Sequence, residues 1–402
     1  MKISNKTFYL FGLVLFLAAN LFTTSCKKED MDAVPEDIGD PAIHYIRSTD
    51  PDKADSLLVG AYMGSLIAIV GEDLQYTREI WFNDQMASLN PTYITNETIL
   101  VNVPSSVPTE VNNMIRIVFA NEEELLYEFS VNVPSPLIQG IKSEYVEAGQ
   151  VAVLYGDFFF DPVTVTFAGG AEGTIVSLNK TELQVVVPDD AEGGEITVST
   201  NFGAVKSDFL FRDDRNVVVN FDDLRSRSWN SPVAENGVGD FIPCSGGYTF
   251  FKWDDVGAWQ WVNELNMMYI AEDGETGRGN VPIFPSGAIP SEWGVRFELN
   301  VGFEWREIPL EIFFAQYGED HGRDVPRTMV RWKPWEAEGV YQTDGWETIT
   351  VPLAAFNVDK DGNPAELGDI STFTNLTIMF FGAADATYNV NMAIDNVRVV
   401  KL

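Results

Sequence analysis

The residues best suited to chemistry in this sequence are tryptophans crowded into one part of the chain. Nine of the ten follow residue 228, and the amino-terminal half has only Trp81. Eight of them fall in a single window and are Trp253, Trp259, Trp261, Trp293, Trp305, Trp332, Trp335 and Trp346. An indole offers a large flat apolar face and one N–H donor, so such a cluster forms either an unusually full core or an exposed stacking platform.

A platform of this kind suits a sugar, because a pyranose ring has apolar C–H faces and a rim of hydroxyl groups. Trp259 and Trp261 are two residues apart, which puts both rings on one face if the segment is a strand. Trp293 follows a long Gly/Pro-rich loop at 272–291, a position that favours exposure. We expect all three rings to contact a glycan, with core packing of Trp259 and Trp261 as the open alternative.

Two further tryptophans, Trp332 and Trp335, bracket Lys333-Pro334 at the end of a predicted strand. Proline forces an extended backbone that ends the strand, so we expect one of these rings to project past the sheet and contact the ligand. Trp253, Trp305 and Trp346 lie in alternating or aromatic runs, a pattern typical of core positions.

The elements that would position these rings are β-strands. Beyond Arg212 the first long apolar run is Val217–Leu224 and the last is Met392–Val400. Six more strands are predicted between them, at 248–253, 294–301, 310–315, 328–332, 346–353 and 376–381. An all-β segment whose end strands can pair predicts one large jelly-roll-like sandwich over residues 214–402.

The preceding part of the chain repeats itself. Gly71 and Gly156 occupy matching positions 85 residues apart, and the Val-Pro pairs that close the two copies are 84 apart. A unit of about 85 to 95 residues with several short strands has the size of an immunoglobulin-like sandwich. We therefore predict two tandem domains of this kind, at 41–134 and 135–213.

The amino terminus has the features of an export signal. Two lysines precede an apolar stretch, Phe8–Phe22, and small residues lead into Cys26, which resembles a bacterial lipobox. We predict a signal peptide at 1–25, then a lipidated Cys26 and a flexible tether over 26–40. Acyl chains on this cysteine would hold the protein at a bilayer, and the alternative is an ordinary secretory signal with a chance cysteine.

The amino-acid composition limits the classes of ligand and cofactor that the protein can bind. The chain has 26 Lys+Arg against 60 Asp+Glu and a net charge of −34, so it should repel nucleic acid and other polyanions. Two histidines and two cysteines leave little for a zinc site or a histidine-based triad. We expect no cofactor except a structural calcium, which Asp222, Asp223 and Asp395 could hold if the end strands pair.

The order of these parts resembles the surface glycan-binding lipoproteins of polysaccharide-utilisation systems. The repeated units resemble IPT/TIG-type immunoglobulin-like domains, and the segments Trp332–Trp335 and Gly345–Leu353 look like the family's C-terminal domain. The resemblance implies capture of a neutral glycan without catalysis, on the outer cell surface beside an outer-membrane importer. Two alternatives stay open: a surface glycoside hydrolase or lyase, which needs two carboxylates flanking the scissile bond, and a protein-binding adhesin.

Overall fold

The computed structural model describes residues 38–53, 55–223, 233–234, 240–256, 281–319, 322–380 and 388–402. Within these ranges every regular element is a β-strand or a one-turn 3₁₀ helix, which confirms the predicted all-β class. No helix among these residues has the length and apolar character needed to cross a membrane. The chain divides into two compact units, Met1–Val133 and Pro134–Leu402.

The first unit is an immunoglobulin-like sandwich. Its strands are β1 (Ala42–Ser48), β2 (Gly60–Tyr62), β3 (Leu66–Glu72), β4 (Thr77–Phe82), β5 (Gln85–Met86), β6 (Thr98–Asn102), β7 (Met114–Phe119), β8 (Glu124–Glu128) and β9 (Ser130–Asn132). They form sheets of order β1-β3-β6 and β5-β4-β7-β8, and β2 pairs with β9 in parallel. In β7 every second residue is buried, so Ile115, Ile117 and Phe119 fill the core. The 3₁₀ helices are Pro51–Lys53 and Pro91–Tyr93.

A second sandwich of the same kind opens the second unit. Its strands are β10 (Leu137–Ile141), β11 (Val151–Asp157), β12 (Val163–Ala168), β13 (Thr174–Leu178), β14 (Glu182–Val186), β15 (Glu192–Thr200) and β16 (Gly203–Lys206). The sheets have the orders β10-β11-β14-β13 and β12-β15-β16, and their facing aliphatic and phenylalanine side chains form one core.

The sequence repeat corresponds to a repeated register. Ile43 of β1 lies opposite Gly71 of β3, and Ile138 of β10 lies opposite Gly156 of β11, with a β-bulge just after each pair. A Cβ atom on either glycine would come within 3.0 Å of a backbone carbonyl of the neighbouring strand, a separation that real Cβ atoms essentially never show. Glycine is therefore required in both copies by the close approach of the neighbouring strand.

The remaining strands build the larger sandwich. They are β17 (Val217–Val219), β18 (Val233–Ala234), β19 (Tyr248–Val256), β20 (Trp293–Val301), β21 (Leu310–Gln316), β22 (Met329–Trp332), β23 (Glu347–Pro352), β24 (Phe373–Phe380) and β25 (Tyr388–Lys401). One sheet has the order β18-β19-β25-β20-β23 with β17 also paired to β25, and the other has the order β22-β21-β24. The end strands β17 and β25 thus pair as predicted, and a core of aliphatic and aromatic residues lies between the sheets. The described part of this sandwich also has four 3₁₀ helices: Pro290–Glu292, Pro334–Glu336, Leu353–Ala355 and Ile370–Thr372.

A buried ion network joins the second immunoglobulin-like domain to the larger sandwich. Arg398 of β25 has no exposed surface, and its Nη2 atom lies 2.6 Å from Glu144 Oε2 and 2.9 Å from Glu298 Oε1. Glu144, which follows β10, also receives Arg296 Nη1 at 2.7 Å, and Ser143 donates to Glu298 at 2.8 Å. These bonds pair the buried charges on both sides of the contact, as burial requires. We call this contact the junction.

Candidate functional site

Three aromatic residues pack at the end of the sandwich where β22 stops. Trp305 is 1% exposed, and its ring centroid lies 5.5 Å from that of Trp332 and 6.1 Å from that of Tyr341, both in edge-on contact. Trp332 also meets Phe297 edge-on at 5.9 Å. Trp305 is therefore a core residue, as predicted, while Trp332 is half-buried above it.

Trp335 sits in the 3₁₀ helix that follows β22 and is half-buried. Its indole N–H donates to the carbonyl of Ile308 at 3.1 Å, and the indole of Trp305 donates to the same carbonyl at 2.7 Å. Two donors on one acceptor fix the ring of Trp335 against the loop before β21. The helix forms here because Pro334 supplies a first residue that needs no N–H partner.

Polar groups lie beside Trp335 and at Tyr341. The ammonium of Lys333 lies 6.0 Å from the ring centroid and 3.3 Å from Glu336 Oε1. Tyr341 donates its hydroxyl to Glu347 at 3.4 Å, and burial, reinforced by that carboxylate, raises the pKa of Tyr341 well above its usual range. The rim of the cluster therefore offers cationic, anionic and neutral hydroxyl groups, which can both donate to and accept from sugar hydroxyls. We call Trp332, Trp335 and Tyr341 the aromatic cluster.

Trp293 is not a surface residue, so the prediction of its exposure is wrong. It is 9% exposed, and its ring meets Phe284 edge-on at 5.8 Å. The Gly/Pro-rich loop before it is not merely a polar connection, since Ile283 and Phe284 of that loop are themselves buried in the core. Trp293 opens β20, a strand buried along nearly its whole length, and a ring held there cannot serve as a stacking platform.

Three predicted positions lie outside the described residues. They are the glycan-binding candidates Trp259 and Trp261 and the lipidation site Cys26. Their roles therefore stay predictions.

The calcium candidates do not form a ligand cluster. Asp395 is fully buried, accepts from the N–H of Asn396 at 2.7 Å, and lies 3.4 Å from the thiol of Cys244. Burial raises the pKa of Asp395 well above its usual range, and the neighbouring Asp222 adds to this effect. Asp223 is exposed, and no group of three or more metal-ligating side chains occurs among the described residues.

The described carboxyl groups whose pKa is raised are not placed for hydrolysis. Glu144 and Asp395 are both buried, and desolvation raises the pKa of each. Glu144 belongs to the junction, where it pairs with two arginines. Neither group opens onto a surface where it could protonate a glycosidic oxygen, which is the role of the acid in a glycosidase.

The junction is the feature that reasoning from the sequence missed. Arg398 interrupts the apolar run Val397–Val400, and Glu298 interrupts Phe297–Leu299. A charged residue inside an otherwise apolar strand is a signal of a buried ion pair, because burial of an unpaired charge is costly. The sequence carries this signal, but it does not identify which oppositely charged residue completes the pair.

Comparisons with known proteins agree with this architecture. A family described as "Surface glycan-binding protein B xyloglucan binding domain" matches residues 211–401. The crystal structure of a surface glycan-binding protein B from Prevotella bryantii is 25% identical, with a TM-score of 0.66 over 90% of this chain and 99% of that one. A surface glycan-binding protein B from a complex xyloglucan utilization locus in Bacteroides uniformis shares the fold at 18% identity, with a TM-score of 0.50 over 90% of this chain and all of that one.

A curated relative adds the domain type. An "IPT/TIG domain-containing protein" of Bacteroides ovatus is 35% identical over 157 residues, which are 37% of this chain and 31% of the relative. The aligned part thus spans about a third of that relative's length. Together these matches show that residues 211–401 are similar to the xyloglucan-binding domain of the surface glycan-binding proteins B, and that the whole chain shares the fold of those proteins, including immunoglobulin-like domains of the IPT/TIG type.

Proposed function

We propose that this protein captures a neutral polysaccharide of the xyloglucan class at the cell surface and does not cleave it. The observation that carries the proposal is the match of residues 211–401 to a xyloglucan-binding domain. Xyloglucan carries no charge, which is compatible with a protein of net charge −34. The glycan would lie along the larger sandwich.

The rings proposed to stack on the sugar are Trp332 and Trp335, together with Trp259 and Trp261. The first two are half-buried and held by the core, so a sugar would meet rings that are already in place. A preorganised ring loses little freedom on binding, whereas the flexible polysaccharide loses much, so each site is expected to be weak. Many copies at one surface raise the effective concentration and compensate for this.

The similarity to surface glycan-binding proteins supports a surface location, and the lipid anchor and the importer partner are part of the proposal. Lipid on Cys26 would hold the chain at the outer membrane, and the segment 26–40 would let the domains reach away from it. An outer-membrane importer would then take up the captured glycan. Replacement of Cys26 by alanine is expected to release the protein from the membrane fraction, and retention there would contradict the lipid anchor.

The binding proposal is tested by affinity electrophoresis of the protein through gels that contain xyloglucan. Retardation is expected, and Trp335→Ala should weaken it by about thirtyfold in Kd, the factor that corresponds to the roughly 2 kcal/mol of an aromatic hot spot. Trp332→Ala, Trp259→Ala and Trp261→Ala are run beside it. Trp81→Ala is the matched control, because Trp81 is also half-buried but belongs to the first unit.

Two outcomes would contradict the proposed function, and a third would contradict the proposed contact surface. Unchanged mobility of the wild-type protein in xyloglucan and in other neutral polysaccharides would show that the protein binds none of these glycans. Steady release of new reducing ends would show an enzyme instead of a binding protein. Equal losses with Trp335→Ala and Trp81→Ala would show that the aromatic cluster is not the contact surface.

A further inference from the structure

A cleft of about 610 Å³ opens beside the junction, within the second unit. Its volume falls in the range of about 300–1,000 Å³ that is typical of small-molecule sites. The walls come from three segments, 142–153, 240–244 and 342–346, together with Asn300 and Gly302 of the larger sandwich. Both domains that meet at the junction thus contribute to it, and we call it the junction cleft.

An apolar strip lies in this cleft. Trp346 is half-buried, with its indole N–H bonded to the carbonyl of Ile242 at 2.7 Å and its ring edge-on to Tyr248 at 5.6 Å. The sequence predicts a core position for Trp346, whereas the ring is only half-buried, with one side packed against the core. Ile242 is 70% exposed and Val151, from the other domain, is 41% exposed. A fixed indole flanked by two exposed aliphatic side chains offers an apolar surface to a ligand.

The charges that line the cleft are mostly compensated. Lys142 bonds to the side chain of Asp344 at 3.3 Å and to its carbonyl, and Asp240 pairs with a lysine of β19 at 2.5 Å. Among the described lining residues Lys142 is the only one with a positive charge, while Glu147 adds a further carboxylate. The small excess of negative charge disfavours acidic sugars and other anions.

The polar groups that remain for a ligand are uncharged amides. Gln150 and Gln342 are both exposed on the cleft, and the side-chain amide of Gln342 donates to the carbonyl of Gly302 at a long 3.4 Å. A primary amide both donates and accepts, which matches a sugar hydroxyl. An indole face with amides beside it is the chemistry of a site for a neutral pyranose.

We propose that the junction cleft binds a second segment of the neutral glycan, with a sugar ring stacked on Trp346 and its hydroxyl groups bonded to Gln150 and Gln342. This inference rests on the proposed function, because it takes the same class of ligand. The junction holds the two walls in place through the buried pairs of Arg398, so the cleft is formed before the ligand arrives. Occupation of two sites by one polymer raises the effective concentration at each of them.

The test is isothermal titration calorimetry of the full-length protein with a xyloglucan oligosaccharide of one repeating unit. This ligand is too short to span two sites. The wild-type protein is expected to bind two molecules per chain. Trp346→Ala and Trp335→Ala should each bind one, and the double variant Gln150→Ala, Gln342→Ala should weaken one of the two sites about tenfold. Both glutamines are exposed, so this variant keeps the proposal testable even if Trp346→Ala disturbs folding.

The outcomes distinguish binding at the junction cleft from binding at the aromatic cluster. If the wild-type chain binds one molecule, and neither Trp346→Ala nor the glutamine variant changes this binding, the proposed role of the cleft is overturned. The proposed function would then still stand. Loss of all binding with Trp346→Ala but none with Trp335→Ala would support the cleft and overturn the aromatic cluster. No binding by the wild-type protein would contradict the proposed function and the cleft together.

Discussion

Arg398 holds two carboxylates with a side chain that has no exposed surface. Replacement by methionine keeps much of its apolar bulk but leaves Glu144 and Glu298 without their shared partner. Breaking a buried ion pair in this way costs about 3–5 kcal/mol. We expect Arg398→Met to lower the free energy of unfolding by that amount, measured by urea titration followed by tryptophan fluorescence.

The control for this variant is an ion pair at the surface. Lys206 lies 2.7 Å from Glu195, and both side chains are about half exposed or more. Such a pair contributes about 0–1 kcal/mol, so Lys206→Met should change stability by less than 1 kcal/mol. Similar losses of stability in the two variants would show that the buried pairs of the junction contribute no more to the free energy of unfolding than a surface pair does.

Cys244 should behave as an inert thiol. It is 4% exposed, and burial, together with the neighbouring Asp395, raises the pKa of its thiol well above the usual value. In a Cys26→Ser background a disulfide reagent should therefore modify Cys244 only after unfolding, and a rise from pH 7 to pH 9 should not change this, although an ordinary thiol ionises near pH 8.5.

A matched exposed thiol makes this experiment decisive. Ile242 is two residues away and 70% exposed, so Ile242→Cys should react at once in the native protein and faster as the pH rises. Rapid native-state reaction of Cys244 itself would show that the segment before β19 opens readily. The reaction is followed by the absorbance of the released thiolate.

At the scale of elements, the repeated glycines are the sharpest test of the two immunoglobulin-like domains. Gly71→Ala and Gly156→Ala would each drive a Cβ into the carbonyl of the adjacent strand. Overpacking of this kind costs about 1–3 kcal/mol, and we expect a loss of that size in each domain. Gly140→Ala is the control, because its Cβ would meet nothing within 4 Å.

The outcome is measured by urea unfolding of each single variant. A loss of stability with Gly140→Ala as large as that with Gly156→Ala would mean that the close approach to β10 is not what requires glycine. Losses confined to one of the two repeated positions would show that the matching registers differ in packing.

The strands were predicted well, because each of the six segments between the end strands is rich in apolar, β-branched or aromatic residues. The segment predicted at 310–315 is β21 (Leu310–Gln316), and the one at 294–301 is β20 (Trp293–Val301). Placement of the rings was harder, since whether a tryptophan is exposed depends on distant residues. Trp293 shows this: the residues that cover it, such as Phe284, lie in a loop whose composition favours exposure.

At the scale of the whole molecule, the second unit joins two sandwiches that the sequence pattern separates. The residue composition of the sequence changes near residue 213, but side-chain packing continues across this boundary through the junction. Charge complementarity between Glu144 and Arg398 could not be predicted, because the two residues are 254 positions apart and nothing local links them.

We therefore expect residues 134–402 to unfold as one cooperative unit. Differential scanning calorimetry of this segment should give a single transition, with a calorimetric enthalpy equal to the van't Hoff value. Arg398→Met should split it into two, because the contact that couples the sandwiches would be weakened. Two transitions in the unmodified segment would contradict the expected coupling.

The junction also has a mechanical consequence. Under the proposed function, a polymer that is held by the larger sandwich and drawn toward an importer would pull on the protein that holds it. The load would pass to the second immunoglobulin-like domain through the covalent link near residue 213 and, in parallel, through the salt bridges of Arg398 and the hydrogen bond from Glu144 N–H to Thr348. Such a parallel arrangement shares the force between backbone and side chains, so the two sandwiches should extend under tension as one rigid body before either of them unravels.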